Sequence, residues 1–234
     1  MQISRRATLA FAAASLITAS VHAQGWPAKP VRLVVPFPAG GGTDLITREV
    51  ANKVAGSGYT FVIDNKPGSG GNLGVDAAAK AHPDGYTLVM GQTSNLAINP
   101  TLYSKLPYDP VKDLTPISMV ASSPLVIVTG ADSPIKTLAD VIRISKEKPG
   151  SINFATSGNG TVAHLAAESF QRVAGIKMTH VPYKGASQGA TDVISGQVQL
   201  YVSSIPTLLG HIKSGKMRPI AVTSLKRADG LAQV

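Results

Sequence analysis

The chain has 234 residues, of which 22 are Lys or Arg and 13 are Asp or Glu, for a formal net charge of +9; 44% are apolar and 15% are charged. This balance excludes a disordered polyelectrolyte and predicts a chain able to bury a core. The absence of Cys excludes disulfide scaffolds, thiolate metal sites, cysteine nucleophiles and lipid attachment at a lipobox cysteine.

Residues 1–23 read as an export signal: Arg5 and Arg6 form the positive start, 7–21 a small apolar run, and Val21-His22-Ala23 a small-x-small cleavage site. The run is shorter than the ~20 residues of a membrane span. The segment around Arg5 and Arg6 fits a twin-arginine and a Sec signal alike. Those two arginines are its only charges, so removal lowers the formal net charge from +9 to +7. The remaining basic residues are scattered singly and aromatics make up 5%, which argues against nucleic acid and leaves a modest pull on anions.

A buried strand is predicted at 31–35, broken by Pro36 to Gly42; Thr43 is placed to cap a helix carrying Leu45, Ile46, Val50 and Val54. A strand at 59–64, a small-residue turn at 68–71, a helix at 73–81 and a strand at 85–90 follow. A long β-rich passage spans 114–130. The order then repeats: strand 151–155, turn 156–160, Thr161 as cap of a helix with Leu165, Ala166, Phe170 and Val173, strand 177–181, turn 182–185, helix 187–195 and strand 198–202. Alternating strands and helices predict parallel α/β sheets, and two copies predict two lobes. An extended run at 217–224 reads as carrying the chain back to the first lobe.

In parallel sheets, ligands sit where strand ends meet helix starts. Here those are the Gly-rich turns at 38–44 and 156–161, whose free backbone N–H groups and helix dipoles suit an anion held without charged side chains. Gly40-Gly41-Gly42-Thr43-Asp44 has neither the P-loop ending nor the dinucleotide spacing. A turn that merely needs glycines accounts for this loop equally well by itself, and the matching second loop favours a ligand. Gly185-Ala186-Ser187-Gln188-Gly189 fits a nucleophile elbow, so the competing enzyme reading is an α/β serine hydrolase using Ser187. Asp192 lies about one turn on in the same helix, and His211 is the sole later histidine, a poor layout for a triad. His164 and Glu168 share a helix face with His180 nearby, yet the two-His zinc signature is absent; His164 is expected to hydrogen-bond near its own loop. Tyr183 and Lys184 read equally as a solvated turn or as a phenol and cation at the cleft rim.

The segments KPVRLVVPFPAGGGTD (29–44), NKPGSGGN (65–72), PDGYTL (83–88), SGNGTVAHL (157–165) and VPYKG (181–185) together resemble the periplasmic solute-binding receptors of tripartite tricarboxylate transporters, the Bug family. The resemblance covers about residues 27–227. It implies a two-lobed α/β periplasmic-binding-protein-like fold of the Venus flytrap kind, with a signal peptide at 1–23, a first lobe at 24–122 to which 218–234 returns, and a second lobe at 123–217. It implies a non-enzymatic receptor, without cofactor or metal, that closes on a small organic carboxylate and passes it to an inner-membrane permease; a monomer is expected. Carried over, the carboxylate would be held by Phe37, Pro38, Ala39, Gly40, Gly41, Thr43 and Asp44 of one lobe and Thr156, Ser157, Gly158, Gly160 and Thr161 of the other, with His164 supporting the second loop. Thr93, Ser94, Asn95 and Ala97 would line the first lobe, and Tyr183, Gly185 and Ala186 the second. Ser203 and Ser204 stand where the family often carries an acid or amide, and Gln199 where it commonly carries Asp. Family members continue for roughly a further third, so an incomplete first lobe is expected.

Overall fold

The computed structural model describes residues 25–231 and 234; the signal peptide read at 1–23 lies outside the described residues. The first sheet comprises β1 (Val31–Val35), β2 (Phe61–Asn65) and β3 (Thr87–Val89), in the order β2-β1-β3 and all parallel. β1 is central, and its apolar residues are almost fully buried, as expected of a strand covered on both faces. Two helices, α1 (Gly42–Ala55) and α2 (Asn72–Ala79), make the crossovers. After β3 a π-helical turn, Ser94–Ile98, leads into the short α3 (Asn99–Leu102).

The second sheet comprises β4 (Leu125–Gly130), β5 (Asn153–Thr156), β6 (Thr179–Pro182), β7 (Leu200–Ser204) and β8 (Met217–Val222), in the order β6-β5-β7-β4-β8. The β5 pairings are parallel, whereas β4 runs antiparallel to both β7 and β8, so this sheet is mixed. Its helices are α4 (Leu138–Glu147), α5 (Val162–Ala174), α6 (Ala186–Ile194) and α7 (Ile205–Lys213). Successive side chains of a strand point to opposite faces, and here each face has its own helices. Phe154, Leu200 and Val202 pack with Val141, Ala163 and Ala167 of α4 and α5; Ala155 and Tyr201 pack with Ala190, Val193 and Leu208 of α6 and α7. The result is a three-layer lobe.

Four expectations are corrected. Gly41, not Thr43, is the N-cap residue of α1 and makes no side-chain cap bond; the helix starts two residues earlier than a cap at Thr43 requires, and Thr43 Oγ1 instead accepts a hydrogen bond from Gln92 Nε2. Of the passage 114–130, only Leu125–Gly130 forms a strand. The run 217–224 does not return to the first lobe: β8 pairs with β4, and Leu231 is buried in the second lobe's core. Helices α4 and α7 are additional to those expected. Among the described residues the chain passes between the sheets once, through 103–124, where Tyr108 is buried and donates to the Asn95 carbonyl at 2.6 Å. Beyond it Val111, Ile117 and Met119 are exposed.

Candidate functional site

Where the two lobes meet, a cleft of about 90 Å³ is lined by Phe37, Pro38, Gly41 to Thr43, Gln92 and Ser94 of the first lobe and by Leu125, Ser157, Thr161 to Ala163, Gly185, Ala186, Ser203, Ser204 and Thr207 of the second. Four helices begin at this space: α1 at Gly42, α5 at Val162, α6 at Ala186 and α7 at Ile205. The first turn of a helix carries N–H groups without intrahelical acceptors and the positive end of the dipole. None of the lining residues is ionisable, so the positive potential comes from backbone and hydroxyl groups. Ser94 is 1% exposed and its hydroxyl makes no hydrogen bond within the protein.

Each loop is held from behind. Asp44 is 1% exposed; its carboxylate accepts from Gly40 N at 2.9 Å, Arg48 Nε at 2.9 Å and Asn65 Nδ2 at 3.0 Å, and Asn65 Nδ2 also donates to the Phe37 carbonyl at 3.0 Å. Burial opposes the Asp44 charge, but the hydrogen bonds from Arg48, Gly40 and Asn65 outweigh it and hold the pKa below its ordinary value. In the second loop, Thr161 caps α5 by accepting from His164 N at 3.3 Å and donates to the Gly158 carbonyl at 2.8 Å. His164 Nδ1 accepts from Gly160 N at 3.3 Å, and its ring stacks on His180 at 4.1 Å between centroids. His180 Nε2 lies 2.7 Å from the Thr156 hydroxyl, and burial together with the neighbouring His164 lowers its pKa to about 4.

The predicted site residues therefore divide. Phe37, Pro38, Gly41, Thr43, Ser94, Ser157, Thr161, Gly185, Ala186, Ser203 and Ser204 line the cleft. Asp44, Gly40, Thr156, Gly158, Gly160 and His164 shape the loops without lining it, and Ala39, Thr93 and Ala97 are exposed outside it. Asn95 is buried beneath the π-turn, accepting from Gln92 N at 2.9 Å. Tyr183 also lies outside the lining: its hydroxyl donates to Asp192 at 2.5 Å, and burial with that carboxylate raises its pKa to about 12. Five lining residues, Gln92, Leu125, Val162, Ala163 and Thr207, are not singled out by the sequence; the helix start after the Thr161 cap is the signal that leads to Val162 and Ala163.

The same bond removes the triad, because Asp192 engages Tyr183 rather than a histidine, and Ser187 is exposed outside the cleft lining. Glu168 sits 3.7 Å from His164 Nε2, and no group of three metal-ligating side chains occurs among the described residues. A larger space of about 430 Å³ lies on the outer face of the first lobe between α1 and β2. Only that lobe lines it, and its one cation, Arg48, is paired with Asp44, so the converging helix starts single out the interlobe cleft.

Residues 46–234 match the model of the tripartite tricarboxylate transporter family receptor. The chain belongs to this receptor family. Protein BugT of Bordetella pertussis is 39% identical over 93% of the chain and 68% of its own length. Among solved structures, R. palustris Rpa4515 with adipate is 35% identical with a TM-score of 0.85, covering 88% of this chain and 70% of that one. MatC from Rhodopseudomonas palustris with bound malate is 28% identical with a TM-score of 0.82, covering 89% and 71% respectively. The fold is thus that of a two-lobed periplasmic-binding-protein-like receptor.

Proposed function

We infer that this receptor captures a small organic carboxylate in the interlobe cleft and delivers it to an inner-membrane permease of the tripartite tricarboxylate type. The observation that carries the reading is the convergence of four helix N-termini on one cleft without an ionisable lining side chain. Helix starts bind anions through oriented N–H groups and the dipole, and placing them on both lobes makes the anion a bridge. Closure follows because the closed form alone offers both sets of donors. Relatives solved with adipate and malate support the ligand class.

The reading is a binding function without catalysis: the cleft presents hydroxyls and amides but no base positioned beside a nucleophile. Export by the segment at 1–23 puts the receptor in the periplasm, where it acts as a monomer. The test is a thermal-shift panel of mono-, di- and tricarboxylates on residues 24–234. A ligand of the folded form adds about 2.7 kcal/mol of stability at one hundred times its Kd and so raises the melting temperature. An upward shift with one carboxylate class supports the reading; no shift across the panel, with a cooperative melt, refutes it.

A further inference from the structure

The lobes meet at a hydrogen bond whose donor belongs to the anion loop. Gly42 N–H, at the first residue of α1, donates to Thr207 Oγ1 in the first turn of α7 at 2.9 Å. Ser204 Oγ lies 2.8 Å from the same Thr207 oxygen. Accepting from Gly42 leaves the Thr207 hydroxyl free to donate to Ser204, so the three groups form a chain from the first lobe into the end of β7. The contact is close because residue 42 has no side chain: a Cβ there would lie 2.3 Å from Ser204 Oγ and 2.9 Å from Thr207 Oγ1. A first-turn N–H has no acceptor within its own helix. It bonds to water when the lobes part and to Thr207 when they meet, so the bond contributes to closure alone.

The geometry points to Thr207 as the closure latch, a positioning residue that sets how long a captured anion stays by stabilising the closed arrangement through Gly42. In an occupied cleft this bond must break before the anion can leave, so its effect on capture falls on dissociation and not on association. The kinetic consequence rests on the carboxylate-capture reading; the effect on lobe separation does not.

The chain has no cysteine, so exposed Glu49 on α1 and Lys213 on α7 can be replaced by Cys and spin-labelled without background. Distance distributions are recorded with and without adipate, and separately malate, for the otherwise unaltered protein, Thr207→Val and Thr207→Ser. Val keeps the shape and removes the hydroxyl; Ser keeps the hydroxyl. A net hydrogen bond of about 0.5–1.5 kcal/mol corresponds to about 2- to 12-fold. Thr207→Val is expected to move the distribution to longer distances and to raise the dissociation rate of whichever acid binds by that factor at an unchanged association rate, and Thr207→Ser to restore both. Unaltered distances and dissociation in Thr207→Val, or a Thr207→Ser that behaves like Val, overturns the latch. If neither acid binds, the capture reading fails on those ligands, and the distances still decide: a longer distribution in Val, restored in Ser, upholds the latch, and an unchanged one removes it.

Discussion

Replacing Gly42 with Ala separates closure from folding. Gly42 opens α1 without a positive φ, so the backbone accepts Ala, and removing a helical glycine stabilises by a few tenths to about 1 kcal/mol. All three nearest atoms to the new methyl belong to the second lobe: Ser204 Oγ at 2.3 Å, Thr207 Oγ1 at 2.9 Å and Ser204 Cβ at 3.5 Å. Closing over it requires turning both hydroxyls aside or holding the lobes apart. Overpacking by a methyl costs about 1–3 kcal/mol, here borne by the closed form, which corresponds to about 5- to 150-fold in affinity. Calorimetric titration with adipate and malate, beside a melt of the free protein, measures both sides. The expected result is a melting temperature equal to or above that of the parent with weakened binding. Undiminished affinity would refute the reasoning, because it would mean that capture does not need α1 and α7 to approach.

Asp44→Asn removes the charge from a carboxylate that accepts three hydrogen bonds, leaving a buried donor unpaired at about 1–3 kcal/mol; urea unfolding should show that loss. The folded pKa of Asp44 is lowered, so its contribution is present above its ordinary 3.8 and is lost as pH falls through the folded value. His180 has the opposite requirement, since its folded pKa of about 4 against an ordinary 6.5 favours the neutral ring. Stability should be level above pH 6.5 from this group and decline towards pH 4 by at most about 1.4 kcal/mol per pH unit, a slope that melts of His180→Gln should lack. Ser187→Ala should bind carboxylates as the parent does, and neither protein should hydrolyse p-nitrophenyl esters; ester turnover lost in the variant would revive the hydrolase.

The strands, the helices behind both glycine-rich loops and the two-lobed plan were legible because each carries a local signal: an apolar run as at Val31 to Val35, or a cap such as Thr161. Helix α4 was missed although Thr137 and Asp140 form a reciprocal cap at its start, because the pair uses Asp where the recognised pattern has Glu or Gln. Helix α7 follows β7 directly, with Ser204 shared by both and Pro206 in its first turn, and reads as the frayed end of a strand. That concealed Thr207. Strand β8 looked correctly extended, but an extended run does not reveal its partner; Met217 and Leu231 packing beside Val126 and Tyr201 is information of tertiary origin. Likewise the residues flanking a glycine loop are visible in sequence, whereas whether Asp44 faces the cleft or turns back to Gly40 depends on Asn65, one strand away.

Among the described residues one passage joins the lobes, which gives closure the character of a tethered encounter. Two tethered surfaces meet at an effective concentration set by the tether's length, and here that tether is the exposed stretch beyond Tyr108, containing Val111, Ile117 and Met119. Lengthening it dilutes one lobe in the presence of the other without altering any group in the cleft, and cutting it turns closure into a bimolecular association that depends on protein concentration. Affinity for the anion is thus partly a polymer property of residues that never touch it.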